Sequence, residues 1–254
     1  MMRRWWHYLI VGVAALLLFL VARFPAQVAY SLIADRLSGP VQLAGISGTL
    51  WQGEAQQLQY RQGVVASLEW QLSAWRLMLG KLSGEVRLHQ GEAYLESSVA
   101  APLDGGELSL SGLEGRLPMR LIQPYLTRLP LPLEGVLSLK LDTLQLDAAG
   151  RPQQAEGRVV WHQAGVSAPQ QLLFGDLQMV LRSLEGGGVE GAISDSGGPL
   201  QLRATLTLGA SGSYRLQGTV RASESAPPRL SQNLSLLGPV NAEGFHPLNF
   251  SGAF

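Results

Sequence analysis

The 254-residue chain contains no cysteine. That excludes thiol catalysis, structural disulfides and thiolate zinc sites together, although it leaves the compartment open. Charge is scarce as well: Asp, Glu, Lys and Arg make up 15%, against roughly 25% in ordinary soluble domains. Lys81 and Lys140 are the only lysines. Basic and acidic residues balance at 19 each, but Arg3, Arg4 and Arg23 lie in residues 1–23, where no acid occurs, so the remainder is net negative. A nucleic-acid binder concentrates positive charge on its folded part. Nucleic acid is therefore set aside as a partner.

Catalytic signatures are missing too. The four histidines, His7, His89, His162 and His246, show no H-x-x-H or H-E-x-x-H spacing. There is no G-x-S-x-G elbow and no G-x-x-x-x-G-K-[ST] phosphate cradle. Acids such as Glu92 and Glu96 read as solvated strand-face residues. The chain reads as a non-enzyme with no cofactor and no metal.

Residues 5–22, WWHYLIVGVAALLLFLVA, carry no formal charge apart from the titratable His7. Eighteen helical residues reach about 27 Å, close to the roughly 30 Å hydrocarbon thickness of a bilayer. Trp5, Trp6 and Tyr8 at one end suit the headgroup zone, and Leu9, Leu16, Leu17, Leu18, Phe19 and Leu20 suit the acyl region. The run ends in Arg23-Phe24-Pro25 with no A-x-A cleavage site after it. The expectation is an uncleaved transmembrane signal anchor in the inner membrane. It would leave residues 1–4 as a cytoplasmic stub and the rest in the periplasm. Residues 25–38 then read as an amphipathic helix, with Val28, Leu32, Ile33 and Leu37 at helical spacing and Gly39-Pro40 as the stop.

From residue 41 the period falls to two. SLEWQLS, ELSLS, VLSLKLD and LQLRATLTL alternate apolar with polar, the last placing Leu200, Leu202, Ala204, Leu206 and Leu208 on one face. Such alternation describes antiparallel strands with one buried and one wet face. Turn signals recur at hairpin intervals, as at Ala149-Gly150-Arg151-Pro152, Ser196-Gly197-Gly198-Pro199 and Ala210-Ser211-Gly212-Ser213. The fold expected over 41–254 is an all-β domain of antiparallel, twisted sheets, either a sandwich or an open groove. One short helix is expected around 122–128. Gly48-Thr49-Leu50-Trp51 echoes Gly157-Arg158-Val159-Val160-Trp161, which would fit two similar halves, 41–145 and 150–254. Phe245, Phe250 and Phe254 suggest a last strand packing its rings inward, with a partner-docking tail as the alternative.

The stretch VQLAGISGTLWQGEA at 41–55 carries a resemblance. With the apolar segment, the Pro25 helix and Trp70 nineteen residues after Trp51, it resembles the type II secretion system protein N family, an accessory of the general secretion pathway in Gram-negative bacteria. Gly48, Thr49, Leu50, Trp51, Gly53 and Trp70 match the family motif, while Val65 stands where a leucine is expected. The resemblance implies an inner-membrane protein with a periplasmic β domain. Its role would be to support export of folded proteins across the outer membrane through contacts with other secretion subunits. The family is also similar to periplasmic β-groove proteins that handle lipid, so a lipid or other hydrophobic ligand is the alternative partner. Thr49 and Trp51 are expected to share one strand face, opposite Leu50, with Trp70 as a cross-strand neighbour of Trp51.

Overall fold

The structure is a computed structural model, and it describes residues 5–33, 41–60, 66–77, 80–102, 106–125, 132–167 and 171–253. Strict apolar–polar alternation, broken by glycine turns, produces one meander. The strands are β1 (Val41–Gly48), β2 (Gln52–Tyr60), β3 (Ala66–Leu72), β4 (Lys81–Gln90), β5 (Ala93–Pro102), β6 (Leu108–Pro118) and β7 (Leu133–Leu146). They continue as β8 (Pro152–Val166), β9 (Leu172–Ser183), β10 (Gly188–Asp195), β11 (Leu200–Gly209), β12 (Ser213–Ala222) and β13 (His246–Ala253). Every strand pairs antiparallel with its sequence neighbours, giving a 13-stranded sheet in the order β1 to β13.

The all-β antiparallel expectation is borne out, but the sandwich is not. Among the described residues there is one open sheet and no second sheet to pack against it. The chain exposes 16659 Å², whereas a compact monomer of 27.3 kDa would expose roughly 11,000 Å². A single layer keeps both faces near solvent, and the exposed N-terminal helix adds to the excess. The sheet also curls. Arg151, in the β7–β8 turn, donates from Nη1 to the Ser211 carbonyl in the β11–β12 turn at 3.2 Å. In a flat sheet β8 and β11 would lie about 14 Å apart.

Among the described residues five α-helices flank the sheet: α1 (Trp5–Ala22), α2 (Ala26–Ile33), α3 (Ala74–Leu77), α4 (Met119–Ile122) and α5 (Pro228–Leu234). The helix expected over 25–38 is α2, and residues 34–38 lie outside the described residues, as do residues 1–4, Gly39, Pro40 and Val65. The helix expected at 122–128 begins earlier, as α4, and passes into a 3-10 turn over Gln123–Tyr125. Residues 126–128 are outside the described set. In α1, Tyr8, Leu9, Leu16, Phe19 and Leu20 are exposed, while the side chains of Trp5, Trp6, His7, Leu17 and Leu18 are not described. Among the described residues no helix is long and apolar enough to cross a membrane.

Two small cores hold the ends. At the first edge α2 packs Ala26 against Ile46 and Ala55, flanked by Tyr30, Leu43, Leu68 and Trp70. At the far end α5 lays Leu230 on Leu200 and Val220. The expectation of inward C-terminal rings fails at Phe250, which is 51% exposed because β13 is an edge strand with no layer opposite. Phe245 instead lies under the Arg221 guanidinium, 4.3 Å from its ring centroid, and Phe254 is outside the described residues.

Candidate functional site: the helix elbow and the apolar face

Thr49, Leu50 and Trp51 of the motif do not form a strand. Gly48 ends β1 opposite Gly53, and Thr49, Leu50 and Trp51 make the connection to β2. Thr49 shapes that turn: its N–H donates to the Gln52 carbonyl at 2.8 Å, and its Oγ1 accepts the Gln52 N–H at 3.1 Å. A threonine hydroxyl suits this local bonding. The shared-face expectation for Thr49 and Trp51 is therefore overturned, because alternation applies only to extended strands.

Gly48 has φ 86, and a Cβ there would lie 2.6 Å from the Gln52 carbonyl oxygen. Glycine alone tolerates both constraints. Gly53 answers a different need. A Cβ on it would come 2.6 Å from Cζ2 of Trp70, its register partner on β3. The expected Trp51–Trp70 pairing is thus replaced by Trp70 lying across Gly53. From there the Trp70 indole donates to the Leu50 carbonyl at 3.1 Å.

The hairpin grips the start of the chain. Trp51 Nε1 donates to the Val21 carbonyl at 2.7 Å, and the Leu50 N–H donates to the Phe24 carbonyl at 2.8 Å. Pro25 and Thr49 form an isolated bridge between the two segments. The last carbonyls of a helix lack intrahelical donors, and here a distant indole supplies one to α1. On the next turn of chain, Tyr30 Oη accepts the Leu43 N–H at 3.1 Å. The motif therefore works as an elbow that fixes α1 and α2 to the first edge of the sheet.

Register partners directly opposite each other share a face, so one row can be followed across the whole sheet. Starting from Ile46 on β1 it runs through Ala55, Leu68, Leu88, Leu95 and Gly115. It continues through Leu139, Val159, Met179, Ile193, Ala204, Gly218 and Leu248 on β13. Every position is apolar or glycine. A second row, Leu113–Leu141–Gly157–Leu181–Gly191–Leu206–Leu216–Phe250, lies on the same face. Most of these side chains are half-buried, since neighbours shield their flanks and, between the ends held by α2 and α5, no second sheet among the described residues covers them. Within the segment 200–208, Leu200 and Ala204 are buried while Leu202, Leu206 and Leu208 are half-buried.

Two apolar cavities open on this face. One of about 270 Å³ lies under α2, between Tyr30, Leu43, Leu50, Trp70 and Val86. The other, about 200 Å³, lies under α4, between Leu88, Leu95, Leu117, Leu121 and Ile122.

The opposite face is charged over its first half. The adjacent row runs Ser47–Glu54–Glu69–Arg87–Glu96–Glu114–Lys140–Arg158. Lys140 Nζ sits 2.9 Å from Glu114 Oε1, and that hydrogen bond and charge raise the lysine above its usual range. Glu96, read from sequence as a solvated acid, lies 3.8 Å from Arg87 with half of its side chain exposed. Exposed pairs of this kind contribute little stability.

Sequence reasoning missed one polar cluster. His162 Nδ1 lies 2.9 Å from Asp176 Oδ2, and the Gln163 N–H donates to Oδ1 at 2.8 Å. Gln163 holds φ 49 in a bulge of β8, and the carboxylate secures that turn. The backbone donor, then His162, lowers the Asp176 pKa. The partners are fourteen residues apart and meet only through register, so spacing gives no signal of them. Among the described residues no group of three or more His, Cys, Asp or Glu side chains is placed to hold a metal ion. The echo segments differ in setting: Gly48–Trp51 forms a hairpin turn, whereas Gly157–Trp161 lies inside β8, with Trp161 Nε1 donating to the Glu134 carbonyl at 2.8 Å.

These features define a class: a single-layer antiparallel meander, apolar along one face, clamped by its first edge to an N-terminal helix. Residues 39–249 match the family described as type II secretion system (T2SS), protein N. The chain belongs to that family. Among curated proteins it is similar to type II secretion system protein N of Klebsiella pneumoniae, 31% identical over 94% of this chain and 92% of the relative. The corresponding Aeromonas hydrophila protein is 29% identical over 92% of each chain. That of Vibrio cholerae serotype O1 is 28% identical over 99% of each. No solved structure matches the chain.

Proposed function

We propose that this protein is an accessory inner-membrane component of type II secretion, supporting export of folded proteins across the outer membrane through protein–protein contacts. α1 is its anchor, with the N-terminus cytoplasmic and residues 41–254 in the periplasm. The observation that carries this reading is the elbow. Trp51 and Leu50 bond the α1 terminus and the following turn directly to the sheet, so an anchored α1 would present the sheet in a fixed pose at the membrane surface. The anchor reading rests on the sequence of residues 5–22, which carries no formal charge apart from His7, while no described helix is by itself long and apolar enough to cross a membrane. The sheet then offers a long charged face to other subunits.

Photocrosslinking from the charged face, at Glu69 and Glu114 in native membranes, is expected to capture identified type II secretion subunits. Deletion is expected to reduce secretion of a type II substrate. Intact secretion together with an absence of such crosslinks would end this proposal.

A second reading is supported by the continuous apolar rows and the two apolar cavities beside them. In it the curled face holds a lipid or another hydrophobic ligand. Mass spectrometry of protein released gently from membranes should then find stoichiometric lipid, reduced by Leu88→Asp and Leu139→Asp. A lipid-free protein with unchanged folding would reject it.

A further inference from the structure

The two edges of the sheet are treated differently. At the β1 edge the outward side is occupied: Tyr30 Oη takes the Leu43 N–H on β1, and in the turn after it Pro25 bridges Thr49 and Leu50 bonds Phe24. Gly45, with φ 67, interrupts the ladder between Ala44 and Ile46, with the same register on either side. Covering segments keep an edge from recruiting another strand. β13 is flanked at its start, where His246 Nδ1 lies 2.7 Å from the Gly238 carbonyl and Leu248 packs against the α5 core. Its register with β12 is unbroken from Ser213↔Ala253 to Val220↔His246, and no strand among the described residues pairs with its other side. It carries no Lys, Arg, Asp or Glu, and Pro247 is its single residue of the kind that blunts edges. Phe250 stands half-exposed on it.

We infer that β13 is a docking strand for β13 of a second copy of this chain, paired antiparallel about a two-fold axis at Asn249. The strand is self-complementary in that arrangement. Leu248 of each copy faces Phe250 of the other, an aliphatic–aromatic cross-strand pair formed twice by symmetry. Pro247 faces Ser251, and no like charges are opposed. The axis is normal to the sheet, so the apolar faces of the two copies stay on one side. The row ending at Leu248 and the row ending at Phe250 then run on into each other across the junction. Edge pairing of this kind is β-augmentation, in which main-chain bonds give affinity and alternate side chains give register. The pairing needs no secretion partner.

The absence of cysteine makes the test clean. In an antiparallel pair, directly opposed Cα atoms lie about 4.5–5.5 Å apart, within the disulfide range of 4.4–6.8 Å. Asn249→Cys in the full chain, in native membranes, is expected to give a disulfide-linked homodimer on mild oxidation. Gln217→Cys, one strand inside on β12, is expected to give none. Light scattering of the unmodified chain in detergent should report twice the 27.3 kDa monomer mass. If Asn249→Cys folds with an unchanged melting temperature yet gives no homodimer, the proposal falls. A monomer mass, or linkage only to a different protein, overturns it as well.

Discussion

The indole of Trp51 donates to the carbonyl of Val21 at 2.7 Å, tying the last turn of α1 to a hairpin thirty residues later. One side chain thereby sets the relation between the N-terminal helix and the sheet. Trp51→Phe keeps most of the ring and removes the donor. The expected cost is about 1 kcal/mol, the net worth of one such bond. Amide exchange should quicken at Phe24 and Leu50 while β4 to β12 stay protected. Uniform loosening of the sheet would instead assign Trp51 to the general core.

Gly53 tests the other half of the motif. Gly53→Ala places a methyl 2.6 Å from both the Ser47 carbonyl oxygen and the Trp70 ring. Overpacking of this kind costs roughly 1–3 kcal/mol, and tryptophan emission should shift as Trp70 is displaced. Unchanged emission and melting would mean that the indole does not rest on Gly53.

Leu230 is 2% exposed and holds α5 onto Leu200 and Val220. Leu230→Ala is expected to lose about 2–5 kcal/mol, read by denaturant unfolding. Leu173, exposed on β9, supplies the contrast: Leu173→Ala should stay within about 0.5 kcal/mol of the parent. Equal losses at the two positions would contradict the single-layer arrangement.

The carboxyls of Asp147 and Asp176 are both held below the ordinary carboxylate range. In Asp147 the largest cause is the Arg151 N–H, and in Asp176 it is the Gln163 N–H. Each folded pKa is lower than its unfolded value, so the stabilisation is fully present above the unfolded value of about 3.9. It is lost as pH falls below that value and through the folded one. Asp176→Asn should therefore flatten the acid side of the stability curve below about pH 4 and leave the slope above pH 6 unchanged. An unaltered acid slope would show that the carboxylate contributes nothing in the folded state.

Much of the sheet was readable from spacing. Leu200 to Leu208 alternate in sequence and share one face in the structure, because side chains in a strand alternate by geometry. The Gly48–Trp51 turn was not readable in the same way. Its four residues look like a strand fragment, and only the Thr49–Gln52 bonds and the contacts with Val21 and Phe24 make them a connection. His162 and Asp176 were equally hidden, since their meeting depends on the bulge at Gln163.

By itself the sequence determined an uncharged N-terminal helix, an antiparallel β chain with one apolar face, and the residues of a family motif. These follow from local periods and from residue type, which act over a few positions. Tertiary structure alone decided that the strands form one open layer rather than two packed ones, that Trp70 lies on Gly53, and that Trp51 reaches Val21. Alternation states which side of a strand is apolar but not what covers that side. That outcome depends on register and curl summed over thirteen strands, and no local stretch of sequence encodes it.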